Sequence, residues 1–451
     1  MTKRKRAQPI QLSDHFTYGR LLRFCIPPIA MTILTAFYSM ADGYFISNYI
    51  GKTAFAAVNL IMPYICIIAC IASMLGAGGS ALVAKAMGGG EDQDANRYFT
   101  MAVMLNAILG VTLTILSLVF LRPIGIWLGA TYEMMPYLIT YGGIFLLFLT
   151  SHIMQNIFQI FLTTAEKPTF GLVLTIVAGI VDVVLNVVLI IGFRMGVVGA
   201  VLSTVIAQCI GTVVPLIYFL RPNNSRLRLV KTKIEWKPML KACTNGASEF
   251  VNNISVSVVG AAYNFQLLRF AGENGVAAYG VLMYVQFIFI GVFTGYNIGA
   301  APIFSFHFGV KNHTEQRSLL KKSLVLMTAA GGTMMGIAIT MSDLLATLFV
   351  GYDPALHEMT KHAFEVLAAS FLMAGINIFA SSYFTALNDG KTSAIISFLR
   401  TFVFQILTVL ILPVFWELEG VWLAITVAEV LTFGIAVTYL MRNRKELEDN
   451  Q

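Results

Sequence analysis

Two carboxylates stand inside long apolar runs of this 451-residue chain. Asp42 lies in IAMTILTAFYSMADGYFISNYI, and Asp182 lies in LVLTIVAGIVDVVLNVVLIIGF, four residues before Asn186. A charge at membrane depth costs about 2.5–3.5 kcal/mol on insertion scales, so such a group turns inward and commonly does a job. The jobs open to a carboxylate there are ion coupling, proton relay and substrate capture. Asp182 and Asn186 are one helical turn apart and share a face. With Asp42, and with Thr204 eight residues into the next apolar run, they fall in the outer halves of their runs. Their hard oxygen donors suit a small cation, Na⁺ being the metal candidate. A proton would serve instead if two close carboxylates resist joint ionisation.

Other polar residues recur at helical spacing. The first run carries Thr35, Tyr38, Ser39 and Asp42; the fourth carries His152, Gln155, Asn156, Gln159 and Thr163; the seventh carries Asn245, Glu249, Asn252, Asn253 and Ser257. A one-sided polar face in lipid must turn toward helices or water. Hydrogen bonding between helices, worth about 0.6 kcal/mol per contact, is the ordinary explanation. It does not account for the aspartates, because an amide would serve without the ionisation. Glu249 and Arg400 fall in the inner halves of the seventh and eleventh runs, opposite in sign, and are expected to pair. Glu429 is a further carboxylate of the second half. Tyr38, Gln155, Asn156, Glu249, Arg400 and Glu429 are the candidate lining of a substrate cavity.

The elements that hold these residues are membrane spans. The chain is 57% hydrophobic and 12% charged, with mean hydropathy +0.76, where a soluble domain carries about 25% charged residues. Runs long enough to cross a bilayer recur twelve times, near 20–48, 54–86, 97–121, 136–164, 169–192, 196–220, 243–269, 276–308, 318–349, 360–387, 392–414 and 419–441. The fold class is therefore all-α and polytopic. Assigning loops to alternate sides puts 24 Lys and Arg on the side of the N-terminus and five on the other, with Arg400 left inside a run. That asymmetry sets both termini in the cytoplasm. The net charge of +7 thus reflects topology, with anionic lipid contact, and no nucleic-acid partner is expected. No cleavable signal peptide is read at the start. The five cysteines lie in or beside spans and read as small apolar fillers.

The longest polar connection, RPNNSRLRLVKTKIEWKP, divides the spans six and six. Residues 51–91 align without a gap on 272–312, matching Gly51, Ala56, Ala57, Met62, Gly78 and Gly88 with Gly272, Ala277, Ala278, Met283, Gly299 and Gly309. Six spans per half bring the second half in from the same side, a parallel repeat suited to two bundles rocking about a central cavity. The expected organisation is an N-lobe over 1–220, a basic linker over 221–241 and a C-lobe over 242–451. GAGGS (76–80) and GGG (88–90) read as close helix packing and a cap. DGKTS (389–393) lacks the leading Gly and the strand of a phosphate loop. No metalloprotease or nucleophile-elbow motif occurs, so an enzyme is not expected, and an ion gradient is left as the energy source.

MADGYFISNYIGKTAFAAVNL resembles the first-span pattern of the multidrug and toxic compound extrusion (MATE) family. NGASEF, GENGVAAYGVLMYVQFIF and APIFSFHFG resemble the seventh and eighth spans of its DNA-damage-inducible-type branch. The resemblance runs over residues 15–441. It implies two six-helix lobes in a V and export by alternating access. It also implies a cation site from a first-span Asp, here Asp42, a fifth-span Asn-x-x-x-Asp pair and a sixth-span Thr, here Thr204. The fifth-span pair is reversed, with Asp182 in the Asn place and Asn186 in the Asp place. The expectation is a monomeric antiporter of the inner cell membrane that exports amphipathic organic cations against H⁺ or Na⁺ and needs no cofactor. Its cavity would use aromatic and Met side chains. A related lipid or lipid-linked precursor flippase is the alternative, which would favour several Arg or Lys inside the cavity.

Overall fold

The computed structural model describes residues 10–351 and 353–449. The basic cluster at 3–6 and the extreme ends of the expected lobes lie outside the described residues. Among the described residues, nine helices are long and apolar enough to cross a membrane, and Met135–Leu147 with Leu149–Thr164, bent by 53°, form a tenth. Two of the nine each contain two spans. Ala247–Val310 leaves helical geometry at Gly272 (φ 59°). There the chain folds back, because the Tyr263 and Tyr279 rings stack with centroids 5.2 Å apart, where a straight helix would separate them by about 24 Å. Phe404–Asp449 breaks in the same way at Glu417 (φ 47°), which brings Gly420 against the Leu412 carbonyl.

The described residues therefore form twelve spans. The first six are Tyr18–Phe45, Lys52–Gly88, Asp92–Val119, the bent pair, Pro168–Asn186 and Gly196–Leu220. The two limbs of Ala247–Val310 follow, then His313–Thr340 and Pro354–Ala386. The eleventh span starts at Gly390 and runs to the break at Glu417, and the twelfth runs from there to Asp449. The repeat is written in the backbone. Eight of the ten positive-φ residues among those described come in pairs 221 to 223 positions apart: Gly51 and Gly272, Gly90 and Lys311, Glu166 and Asn388, Arg194 and Glu417. Each pair marks the same chain reversal in two copies of one six-span lobe.

The lobes touch at the end that carries the basic loops, and glycine makes the approach possible. A Cβ on Gly88 would lie 2.0 Å from the Phe306 carbonyl oxygen, and one on Gly309 would lie 2.1 Å from that of Lys85. The second and eighth spans thus cross backbone to backbone in a near-symmetric contact. Gly78 and Gly246 repeat it between the second span and the end of the short helix Trp236–Asn245 that leads into the seventh, and Gly299 packs on Cys25 between the eighth and first. Small residues at a helix crossing gain dispersion that lipid cannot supply. Thr32 donates to the Gly291 carbonyl at 2.8 Å near mid-membrane, the same crossing carried farther.

A strap formed by residues 10–17 closes over this basic end, with Leu12 and Phe16 fully buried. One carboxylate from each half holds it. Glu166 accepts from the Leu12 amide at 2.8 Å, and Glu315 accepts from the Phe16 amide at 2.9 Å and lies 2.7 Å from His15 Nδ1. Lys322 donates to the Phe16 carbonyl. At the far end of the N-terminal lobe a separate apolar cluster, including Ile61, Leu138, Tyr141, Phe145 and Val201, packs around the site described next.

Candidate functional site

The fifth span places Asp182 and Asn186 on one face, as their spacing requires. Gly199 lets the sixth span close on the fifth, since a Cβ there would sit 3.1 Å from Leu189. That approach brings Ser203 and Thr204 to the pair. Asp42 completes the cluster from the first span. Its Oδ1 accepts from Asn186 Nδ2 at 2.7 Å, and its Oδ2 accepts from Thr204 Oγ1 at 3.3 Å. Ser203 Oγ donates to Asn186 Oδ1 at 2.8 Å. The Asp182 carboxyl lies close to Asp42 and Ser203. Asp182 is 4% exposed and Asn186 fully buried, whereas Asp42 is half-open. No Lys or Arg forms an ion pair with either aspartate among the described residues. One Asp182 oxygen, Oδ1, is buried with no hydrogen-bond partner. In both the first and fifth spans the helix widens to π geometry just beyond the site residues, over Ile46–Ile50 and Val187–Gly192. The reversed order of Asp182 and Asn186 therefore leaves both residues in the cluster, and the amide rather than the second carboxylate bridges to Asp42.

Two residues of this cluster escaped the sequence reading. Ser203 adjoins Thr204, and its neighbour was the only available clue. Tyr141, 1% exposed, brings its hydroxyl near Thr204; an aromatic without charge among 17 tyrosines carries no sequence mark. A third, Gly179, works through its missing side chain. The Tyr38 ring lies flat on it, so that a Cβ would stand 1.9 Å from Tyr38 Cζ. Tyr38 thereby covers the Asp182 side of the cluster from the first span.

The remaining candidates are dispersed. Gln155 packs on Gly211 of the sixth span, and Asn156 donates to the His152 carbonyl of its own helix at 3.0 Å. Glu249 does not pair with Arg400, which corrects the expectation above. Arg400 instead grips Glu429, with Nε and Nη2 each 2.9 Å from Oε1. Asn377 adds a bond to Glu429 Oε2 at 2.6 Å. Glu249 has no Lys or Arg partner among the described residues. The reason is geometric: a π turn over Leu399–Val403 swings Arg400 toward the twelfth span, and one turn of depth could not reveal that rotation. Glu429 is 2% exposed, so this pair is a neutralised interior lock.

The sequence model of the family described as MatE matches two stretches of equal length, 27–188 and 250–411, one in each six-span half. Among curated proteins, a multidrug export protein MepA of Staphylococcus haemolyticus (strain JCSC1435) is 23% identical over 98% of this chain and 97% of its own length. A MepA of Staphylococcus aureus (strain NCTC 8325 / PS 47) is 22% identical over 96% of each. Among solved structures, an outward-facing multidrug resistance MATE family transporter superposes with a TM-score of 0.91 at 20% identity, covering 98% of this chain and 99% of that one. A MATE transporter in the bent conformation gives 0.89 at 19%, covering 97% of each. The twelve-span fold, its internal repeat and the matched stretches agree, and the chain belongs to the MatE family, the multidrug and toxic compound extrusion transporters.

Proposed function

We propose that this protein is a secondary antiporter that exports amphipathic organic cations, drugs among them, in exchange for H⁺ or Na⁺ by alternating access. The observation that carries the reading is the convergence of Asp42 with the buried Asp182 and Asn186 pair in a site where neither aspartate has a Lys or Arg partner among the described residues. Two carboxylates that close repel one another unless a proton is shared or a cation sits between them. Asn186, Thr204 and Ser203 supply the oxygens that would complete either arrangement. An ion that binds one lobe arrangement more tightly than the other shifts the equilibrium between them, and a substrate with the opposite preference is thereby coupled to it. No cofactor enters the scheme. The lobe contacts, which run from the basic end to Thr32 and Gly291, together with the likeness to an outward-facing relative, support an outward-open state. The names of the MepA relatives support multidrug substrates, and the charge asymmetry supports a cell-membrane protein with cytoplasmic termini. The flippase alternative loses its main support because Arg400 is engaged by Glu429.

The test is substrate efflux from proteoliposomes under separately imposed H⁺ and Na⁺ gradients. Efflux driven by one gradient, and lost at least about a hundredfold in both Asp42→Asn and Asp182→Asn, is the expected result. That loss corresponds to about 2.7 kcal/mol of coupling free energy. Full activity in both variants would sink the reading.

A further inference from the structure

At the basic end of the N-terminal lobe, away from the carboxylate cluster, a cavity of about 400 Å³ opens between the start of the fifth span and the end of the sixth. Lys167, Arg221, Asn223, Asn224, Tyr218 and Ile217 line it. Four arginines at this end have carboxylate partners: Arg97 with Asp94 and Glu235, Arg226 with Asp92, and Arg317 and Arg444 with Glu448. Lys167 and Arg221 have no ion-pair partner among the described residues, and no carboxylate lines the cavity.

Both cations stand on fixed backbone. Lys167 is held between Glu166, whose φ is +63°, and Pro168 at the first turn of its helix, and its amide donates to the Leu162 carbonyl at 2.8 Å. Across the opening, Asn223 pins the loop. Its amide donates to the Tyr218 carbonyl at 3.1 Å and to that of Leu227 at 3.3 Å, and its oxygen accepts from the Ser225 amide at 2.9 Å. The site lies where two spans leave the membrane. Ile217, 44% exposed, extends its wall toward lipid, and Tyr218 supplies the aromatic ring typical of that depth.

We propose that this cavity binds the phosphodiester headgroup of an anionic phospholipid of the adjoining leaflet. Lys167 and Arg221 meet the phosphate, the free amide of Asn224 meets headgroup hydroxyls, and Ile217 guides the acyl chain. A fork of Arg donors and a Lys point charge are the two usual partners of phosphate. Because Glu166 adjoins Lys167 and holds the strap, a bound headgroup braces the loop on which the strap is anchored.

The purified full-length protein is titrated with dioleoyl phosphatidylglycerol, dioleoyl phosphatidylcholine and soluble glycerol 3-phosphate, and binding is read by native mass spectrometry. Phosphatidylglycerol is expected to bind more tightly than phosphatidylcholine. Lys167→Gln with Arg221→Gln should weaken it about twenty-five-fold, at about fivefold per charge. The control pair Lys231→Gln with Lys233→Gln, exposed cations outside the cavity, should leave it unchanged. Equal binding of the two lipids, or an equal loss in the control pair, would overturn the proposal. Glycerol 3-phosphate competing mole for mole would assign the cavity to a free phosphate ester and overturn the lipid reading. Retained gel-filtration profiles for both double variants show that any loss is local.

Discussion

The Asp42 carboxylate is satisfied by an amide and a hydroxyl, while Asp182 keeps one oxygen without a partner. That asymmetry is what a site for a small mobile cation requires, because a fully bonded carboxylate has nothing left to offer. The neighbours set how well the pair is held. Ser203 orients the Asn186 amide, and Ser203→Ala should weaken cation-coupled transport about fivefold, the worth of one hydrogen bond near 1 kcal/mol, with little change in melting temperature. Gly179 sets the position of Tyr38. Gly179→Ala should impair transport sharply, because the added methyl displaces the ring over Asp182. Combining it with Tyr38→Ala should restore activity to the level of Tyr38→Ala alone, since the clash then has no partner. A double variant as weak as Gly179→Ala would show that the glycine acts on its own helix instead.

The spans carry two devices that depend on how helices meet. The first is the Arg400–Glu429 lock between the eleventh and twelfth. Removing one partner of a buried ion pair costs about 3–5 kcal/mol because the other charge is left unpaired, whereas replacing both by apolar groups is often neutral. Arg400→Met should therefore lower the melting temperature markedly, and Arg400→Met with Glu429→Leu should recover most of it. The second device is the glycine crossing of the second and eighth spans. Gly309→Val inserts side-chain atoms where the Lys85 carbonyl already lies and should force the lobes apart at the basic end. Cys25, fully buried against Gly299 where the first span meets the same eighth span, reports on it. With the other four cysteines replaced by Ala, maleimide labelling of Cys25 should be slow in the parent and fast in the Gly309→Val variant.

Across the whole molecule, the strap ties the two lobes together at the basic end, so its release accompanies any opening there. Burial pushes the Glu166 carboxyl above its ordinary range, an effect the Leu12 amide only partly opposes. A carboxyl whose folded pKa is raised favours the folded state most when protonated, and that contribution is lost as pH rises from the unfolded value through the folded one. Glu166→Gln keeps an oxygen for the Leu12 amide and removes the burial cost of the charge. It should raise the melting temperature at pH 7, and the gain should shrink as pH falls into the ordinary glutamate range. A gain independent of pH would assign the effect to packing.

Much of this was legible in the chain. Hydropathy and length determine the twelve spans, because a lipid-crossing segment must satisfy its backbone within one helix. The matched glycines exposed the repeat, since a chain reversal or a backbone crossing needs the same residue type in each copy. Asp42, Asp182, Asn186 and Thr204 stood out because polarity at membrane depth is costly and therefore rare. Tertiary structure alone decided the rest. Helix rotation about its own axis, altered by π turns, chose Glu429 over Glu249 for Arg400. The approach of the sixth span to the fifth recruited Ser203, and the bend in the fourth carried Tyr141 to the same place. These choices depend on how neighbouring spans approach and turn, as between Asn186 and Ser203, 17 positions apart, or Arg400 and Glu429, 29 apart, and neither leaves a periodic mark in the sequence.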